Sequence, residues 1–182
     1  MSSFISAGHN TKGKRDPGAV SGKLVEAEKT VEFRDLVVPI ARGMGVKVIT
    51  DSDEESLGTY LKRIQTGTGS VVLEFHFDAA ASSTATGTTA LVGGDADRLD
   101  KAFAKELVEA TSQILNIRNR GVISEADSHR GRLGLMREQG TVALLELCFI
   151  SNPSDMAKYE KNKICLAARI AQIIKKYEDL VP

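Results

Sequence analysis

Two cysteines, Cys148 and Cys165, are all the chain has, and they form neither a CxxC pair nor a disulfide framework. Both lie in apolar segments and read as small core residues with free thiols, which favours synthesis in a reducing interior. A net charge is also missing, since 24 Lys+Arg balance 24 Asp+Glu. A nucleic-acid-binding protein usually carries a basic surplus, so no nucleic-acid partner is expected, although a local basic patch is compatible with the balance. No stretch reaches the ~20 apolar residues of a membrane span. The opening MSSFISAGHN lacks the charged start and long apolar run of a secretion signal. No internal repeat is visible. With 42% hydrophobic and 26% charged residues, the expectation is a soluble globular domain over 1–182, able to bury roughly 70% of its unfolded surface without a covalent staple.

What is present is an alternation of short apolar runs with longer amphipathic ones, the signature of an α/β domain. SSFISAG reads as a strand ending at Gly8, followed by a polar loop from His9 to about Ser21. The periodicity predicts a helix from near Val25 to Arg42, with Val31, Leu36, Val37 and Ile40 at apolar positions. GVKVIT reads as a second strand. Asp51 or Ser52 is a candidate cap for a helix bearing Leu57, Tyr60, Leu61 and Ile64, with Glu54 and Glu55 in its first turn. SVVLEFHFDA and TGTTALVGG read as strands, and Asp95 to about Leu115 as a helix. A polar connection, 117–132, holds a short strand at GVIS, and RLGLMRE reads as a short extended piece. TVALLELCF is too apolar for a sheet edge and is placed centrally. Asn152-Pro153 opens a short helix, and a last helix runs from about Lys161 to Tyr177. The chain stops there, so no appended wall-binding module is expected.

Within that central strand stands Glu146, between Leu145 and Leu147. A carboxylate is almost never fully buried unless it is paired or binds a metal. A similar oddity marks the strand VVLEFHFD, where alternation sets Glu74, His76 and Asp78 on one face and Leu73, Phe75 and Phe77 on the other. Polar groups on such a face need partners. His9, just after the first strand, and Glu26, at the start of the first helix, complete a set worth weighing together. Catalytic zinc is held by three nitrogen or oxygen donors with a fourth position left for water, and two histidines with one carboxylate are a standard set. Taken singly, each residue is as readily an ordinary surface or core group. The spacing is long, with no HExxH on a helix, and by itself makes a weak case.

GHNTKGK, residues 8–14, matches the spacing of a phosphate-binding loop, G-x-x-x-x-G-K. The match fails at its next step. Arg15 replaces the Ser or Thr that would meet magnesium, and Pro17 disfavours a helix at Asp16.

The motifs together resemble a known family. ISAGHNTKGKRDPGAVSGKLVEAE is similar to the opening of the zinc-dependent N-acetylmuramoyl-L-alanine amidases of type 3, which cut the bacterial cell wall. The likeness lies in Gly8-His9, Asp16-Pro17-Gly18-Ala19 and Glu26. EFHFDAA resembles the family's second histidine strand, TGTTALV the strand after it, RLGLMR a short motif ahead of the last strand, and LLELCFISNPSD the final motif. The order is preserved across nearly the whole chain. The resemblance implies a mixed, mostly parallel twisted sheet of about six strands flanked by helices. It implies one zinc ion held by His9, Glu26 and His76, with Glu146 as catalytic acid/base. Glu28 is the alternative to Glu26, disfavoured by its distance from Asp16. Two positions depart from the family pattern. Glu74 and Asp78 replace a small polar residue and an Asn, and each reads either as an acceptor for a ligand imidazole N–H or as a plain structural carboxylate.

The activity so implied is hydrolysis of the amide between N-acetylmuramic acid and L-alanine, with peptidoglycan as partner and a monomer as the expected state. The alternatives are a zinc peptidase on the same scaffold and a non-catalytic wall-binding module. The connection 117–132 contains Arg118, Arg120, Arg130 and Arg132, any one of which is a candidate contact for stem-peptide carboxylates, the competing reading being a solvated charged surface. Arg130 and Arg132, with His129 of the same loop, are the substrate-binding candidates taken forward. Without a secretion signal the chain resembles a phage endolysin, made in the cytoplasm and released to the wall.

Overall fold

The computed structural model describes residues 2–9, 16–128 and 131–180. β1 (Ser3–Ala7) leads through a small antiparallel hairpin, β2 (Val20–Ser21) and β3 (Leu24–Val25), into α1 (Glu26–Gly43). β4 (Val48–Ile49), α2 (Leu57–Arg63), β5 (Val71–Asp78) and β6 (Thr88–Val92) follow. Then come α3 (Arg98–Leu115), β7 (Asn119–Ser124), two short 3₁₀ turns, β8 (Thr141–Phe149) and α4 (Pro153–Leu180). Six strands form one sheet in the order β4-β1-β5-β8-β6-β7. β4, β1, β5 and β8 run parallel, and β6 with β7 runs antiparallel to them. This is the mixed, mostly parallel α/β sheet expected from the sequence, with TVALLELCF in its interior.

The two faces of the sheet are covered unequally. α1, α3 and α4 pack together over one face, where Ile5, Leu73, Phe75, Phe77, Leu145 and Leu147 join the larger core. The other face is covered only over the beginnings of its strands. There Tyr60 and Ile64, with Leu135 and Met136 of the second 3₁₀ turn, pack on Phe4, Val72, Val142 and Leu144. Toward the strand ends that same face becomes polar, reading Ser6, Glu74, His76 and Glu146. Ligands of open α/β sheets bind in the crevice outside the carboxyl ends of parallel strands, which is where these residues lie.

Several local expectations are corrected. α2 begins at Leu57, capped by Ser56 Oγ accepting from the Thr59 amide at 3.2 Å. Asp51 is drawn away from a capping role by Arg34 Nη1 at 2.9 Å. RLGLMRE is not extended, because Gly134–Arg137 forms a 3₁₀ turn whose Leu135 and Met136 close the smaller core. The two C-terminal helices are one 28-residue helix, since Tyr159, buried against Phe33 and Phe77, carries the apolar stripe through the charged segment between them. Cys165 is exposed on α4 rather than in the core. Strict alternation along β8 would put Cys148 on the face of Glu146, but it packs on the opposite side, its Sγ 3.8 Å from Met156 Sδ. The cause is a shift of register between His76↔Glu146 and Asp78↔Phe149, a bulge that turns the chain over by one residue. Burial pushes the Cys148 thiol pKa up, as expected for an inert core sulfur.

The segment after the bulge, ISNPSD, anchors the strand ends. Ile150 N donates to Asp78 O at 2.8 Å, and Ala80 N to Ser151 Oγ at 3.1 Å. Asn152 Oδ1 accepts from the Ser154 and Asp155 amides at 2.8 and 3.2 Å, capping α4. The buried Asp155 carboxylate accepts from Thr86 Oγ1 at 2.6 Å and the Gly87 amide at 3.0 Å, so the start of β6 is fixed to α4.

Candidate metal centre and active site

β1 ends at Ala7, and the chain turns at His9 with φ 69°, a left-handed conformation uncommon for a side-chain-bearing residue. This turn sets the His9 ring edge-on to that of His76 on β5, centroids 4.9 Å apart. Glu26, the first residue of α1, lies between them and is 2% exposed. Its Oε1 stands 3.0 Å from His76 Nδ1, and its Oε2 stands 3.1 Å from His9 Nε2. Two backbone amides hold the carboxylate: Phe77 N donates to Oε1 at 3.0 Å and Ala19 N to Oε2 at 2.8 Å. Its place at the helix start also favours negative charge. Glu28 is exposed on the same helix and takes no part.

Two glycines make the close approach possible. A Cβ on Gly8 would come within 2.3 Å of the His76 ring. One on Gly18, at φ +66°, would come within 2.5 Å of the His9 ring and 2.6 Å of Glu26 Oε2. Any side chain at either position therefore collides with the cluster.

Further carboxylates occupy the far nitrogens of both rings. Asp16 Oδ1 lies 2.9 Å from His9 Nδ1, and Glu74 Oε1 lies 2.9 Å from His76 Nε2. Glu74 is itself fixed by Ser6 Oγ at 3.2 Å. An N–H given to Asp16 leaves Nε2 of His9 for coordination, and an N–H given to Glu74 leaves Nδ1 of His76. This is the usual way an outer carboxylate selects the tautomer of a metal-binding imidazole. Of the two departures from the family pattern, Glu74 thus meets a ring N–H. Asp78 does not, its Oδ1 accepting from the Ala79 amide at 2.8 Å.

The electrostatics follow from this packing. Burial works against charge on His76, but hydrogen bonds to Glu26 and Glu74 outweigh it and push its pKa up. His9 is likewise raised, burial opposing and Glu26 and Asp16 prevailing. Burial alone would raise Glu26, yet the two imidazoles hold it well below the usual carboxylate range.

The donor set fits a zinc ion. One ligand atom each from His9, Glu26 and His76 lies within 4.8 Å of the others. His9 Nε2 is buried with no hydrogen bond of acceptable geometry, although Glu26 is near. Two imidazoles and one carboxylate converging in this way are a donor set that leaves a position for water.

Glu146 completes the arrangement. It pairs in register with His76 on β5 and with Thr89 on β6, and it is 2% exposed. Thr88 Oγ1 donates to its backbone carbonyl at 2.7 Å, fixing the strand beneath the side chain. The site opens on two sides. A cavity of about 450 Å³ is lined by His9, His76, Glu74, Asp51 and Tyr60. A second, of about 520 Å³, is lined by Glu146, Thr89, Asp78, Asp127 and two arginines, Arg118 and Arg120. Of the residues expected to touch substrate, His129 and Arg130 lie outside the described residues. Arg132 is exposed and lines neither cavity. Sequence reasoning missed Asp16 and Thr89. Asp16 stood in the quoted Asp-Pro-Gly-Ala turn, and that was the only signal for it.

Fold and site together define a class of α/β protein: a mixed six-stranded sheet carrying a His/Glu/His cluster that could hold a metal ion at its strand ends. The family model for N-acetylmuramoyl-L-alanine amidase matches residues 4–176. The chain belongs to that family. Among solved structures it is similar to an N-acetylmuramoyl-L-alanine amidase from Clostridium difficile 630, with a TM-score of 0.79 and 19% identity over 100% of this chain and 99% of that one. It is similar to a putative N-acetylmuramoyl-L-alanine amidase from Neisseria meningitidis, with a TM-score of 0.74 and 26% identity over 96% and 94%. The catalytic domain of the amidase CwlV from Bacillus (Paenibacillus) polymyxa var. colistinus gives a TM-score of 0.74 and 22% identity over 98% and 99%. A search of curated proteins found no match.

Proposed function

We propose that the chain hydrolyses the amide joining N-acetylmuramic acid to L-alanine in peptidoglycan, with His9, Glu26 and His76 holding one zinc ion and Glu146 carrying protons. The observation that supports this reading most is the pairing of Glu146 with His76 across adjacent parallel strands, beside three converged donor atoms. When bound, the ion supplies Lewis acidity, which acidifies water and polarises a carbonyl.

The protein's own residues do the rest. Glu26 is held by two amides and His9 and His76 by Asp16 and Glu74, so the donor atoms are placed in advance. Glu146 takes a proton from the attacking water and delivers it to the departing L-alanine nitrogen. The second transfer is needed because an amide nitrogen leaves poorly unless protonated. The stiff interior strand, with Thr88 fixing its backbone, holds the carboxylate for both transfers.

The test separates metal binding from proton transfer. Glu146→Gln is expected to keep zinc at the wild-type stoichiometry and to lose about 10²–10⁴-fold in turnover, read by mass spectrometry of digested wall for new L-alanine amino termini. His9→Ala and His76→Ala are expected to lose the metal itself. Near-normal turnover by Glu146→Gln, or full zinc occupancy in both histidine variants, would overturn the assignment.

A further inference from the structure

The two cavities beside the site differ in charge. The one at His9 and His76 is lined by Asp16, Asp51, Glu54, Glu55 and Glu74, with no lysine or arginine among the described residues. The one at Glu146 holds Arg118 and Arg120. Among the described residues neither guanidinium has an ion pair or side-chain hydrogen bond. Asp78 and Asp127 share the lining, yet neither is within ion-pair distance of them.

Arg120 is nevertheless held in place. Its guanidinium carbon lies 5.1 Å from the centre of the Phe149 ring, an attractive arrangement for a planar cation. Its aliphatic stem lies against Gly87, where a Cβ at φ +118° would come within 2.9 Å of Arg120 Cγ. The backbone beside it is tied too, Thr88 N donating to Arg118 O at 2.9 Å. Two guanidiniums with unused donors, one of them held between an aromatic ring and a glycine, form a receptor for a carboxylate.

We propose that this cavity receives the peptide that leaves on hydrolysis, and that Arg118 and Arg120 select a free carboxylate on that peptide. The inference rests on the amidase reading above and gives it a direction. A group that protonates the departing nitrogen must stand beside it, and the peptide begins at that nitrogen. Glu146 lines the arginine cavity and not the acidic one. The peptide therefore extends over β6 and β7, and the sugar lies toward β1 and α2, away from groups that would bind an anion.

The experiment compares N-acetylmuramoyl-L-alanyl-D-glutamate, with both carboxyl groups free, and the same compound with both amidated. The zinc-loaded wild type is expected to favour the free acid by at least about tenfold in kcat/KM, mostly through KM, as loss of a charge-assisted hydrogen bond implies. In the Arg118→Gln/Arg120→Gln double variant that ratio falls toward one, with zinc content and unfolding midpoint held. Calorimetry with the released dipeptide L-alanyl-D-glutamate and its diamide gives a readout independent of turnover. Cleavage of both substrates at equal efficiency, with no difference in dipeptide binding, overturns the subsite and leaves the amidase reading standing. Failure to cleave either, with arginine-dependent preference for the acidic dipeptide, overturns the amidase reading and leaves the subsite standing. A preference that survives in the double variant assigns it elsewhere and also overturns the proposal.

Discussion

Two faces of one strand, β5, show how the molecule divides its work. Leu73, Phe75 and Phe77 face the three long helices and are wholly buried among apolar groups. Glu74 and His76, on the other face, are almost as buried, at 5% and 6% exposed, but each is matched by a polar partner from another element. The first face gains its stability from area removed from water, which is tolerant of detail and large in sum. The second gains little net stability, because burying charge costs about what the pairing returns. It holds donor atoms in fixed places. Burial here serves two ends: cohesion on one face and, on the other, the exclusion of water from a charged cluster.

The largest effect expected from separating the faces is on stability. Phe75 packs edge-on against Phe33, centroids 4.9 Å apart, at 0% exposure. Phe75→Ala removes a large side chain where three helices and the sheet cannot easily close the gap. It is expected to cost about 3–5 kcal/mol in denaturant unfolding, while the fraction that stays folded keeps its full zinc stoichiometry. Loss of zinc from the folded fraction would show that the two faces are not separable as described.

The middle of the range belongs to Glu74. Glu74→Gln keeps the size of the side chain and removes the charge that holds His76 Nε2–H. Zinc affinity is expected to fall about 10–100-fold, measured by competition with a chelator. The unfolding midpoint should move far less than in Phe75→Ala. Unchanged affinity would reduce Glu74 to a structural carboxylate, the reading that the sequence leaves open.

The sequence showed these faces unevenly. The apolar strands were legible because a run such as TVALLELCF has few other places to go. Glu146 and His76 were legible as polar residues that such strands should not contain. The bulge after Glu146 was not, since nothing local distinguishes Cys148 from its neighbours, and one residue of slip reverses every side chain beyond it. The continuity of α4 was hidden by lysines and glutamates on its solvated side, with Tyr159 as the one apolar marker between Met156 and Leu166 that the structure shows to be buried. The hairpin of β2 and β3 lay in what reads as plain loop, two residues per strand being too short for any period. Arg118 and Arg120 could be seen as charges, but only the packing of β7 beside β6 sets them in the cavity with Glu146.

Asp16 gives the finest test of the contrast, because it does for His9 what Glu74 does for His76 from a different environment. Both carboxylates lie 2.9 Å from an imidazole nitrogen. The Asp16 side chain is 62% exposed, however, and that of Glu74 only 6%. In water the pull of Asp16 on the ring is weakened by the high dielectric and screened by salt over about 8–10 Å. Asp16→Asn retains an oxygen that can still accept the His9 N–H, so the ring keeps its tautomer. The expected loss of zinc affinity is therefore only about two- to fivefold at low salt, and it should shrink further at high salt. The Glu74→Gln loss should persist there, because a pair so nearly buried is screened much less than an exposed one. Equal losses in the two variants, or equal salt dependence, would mean that burial does not set the strength of these outer contacts, and the division between a screened and a protected carboxylate would have to be given up.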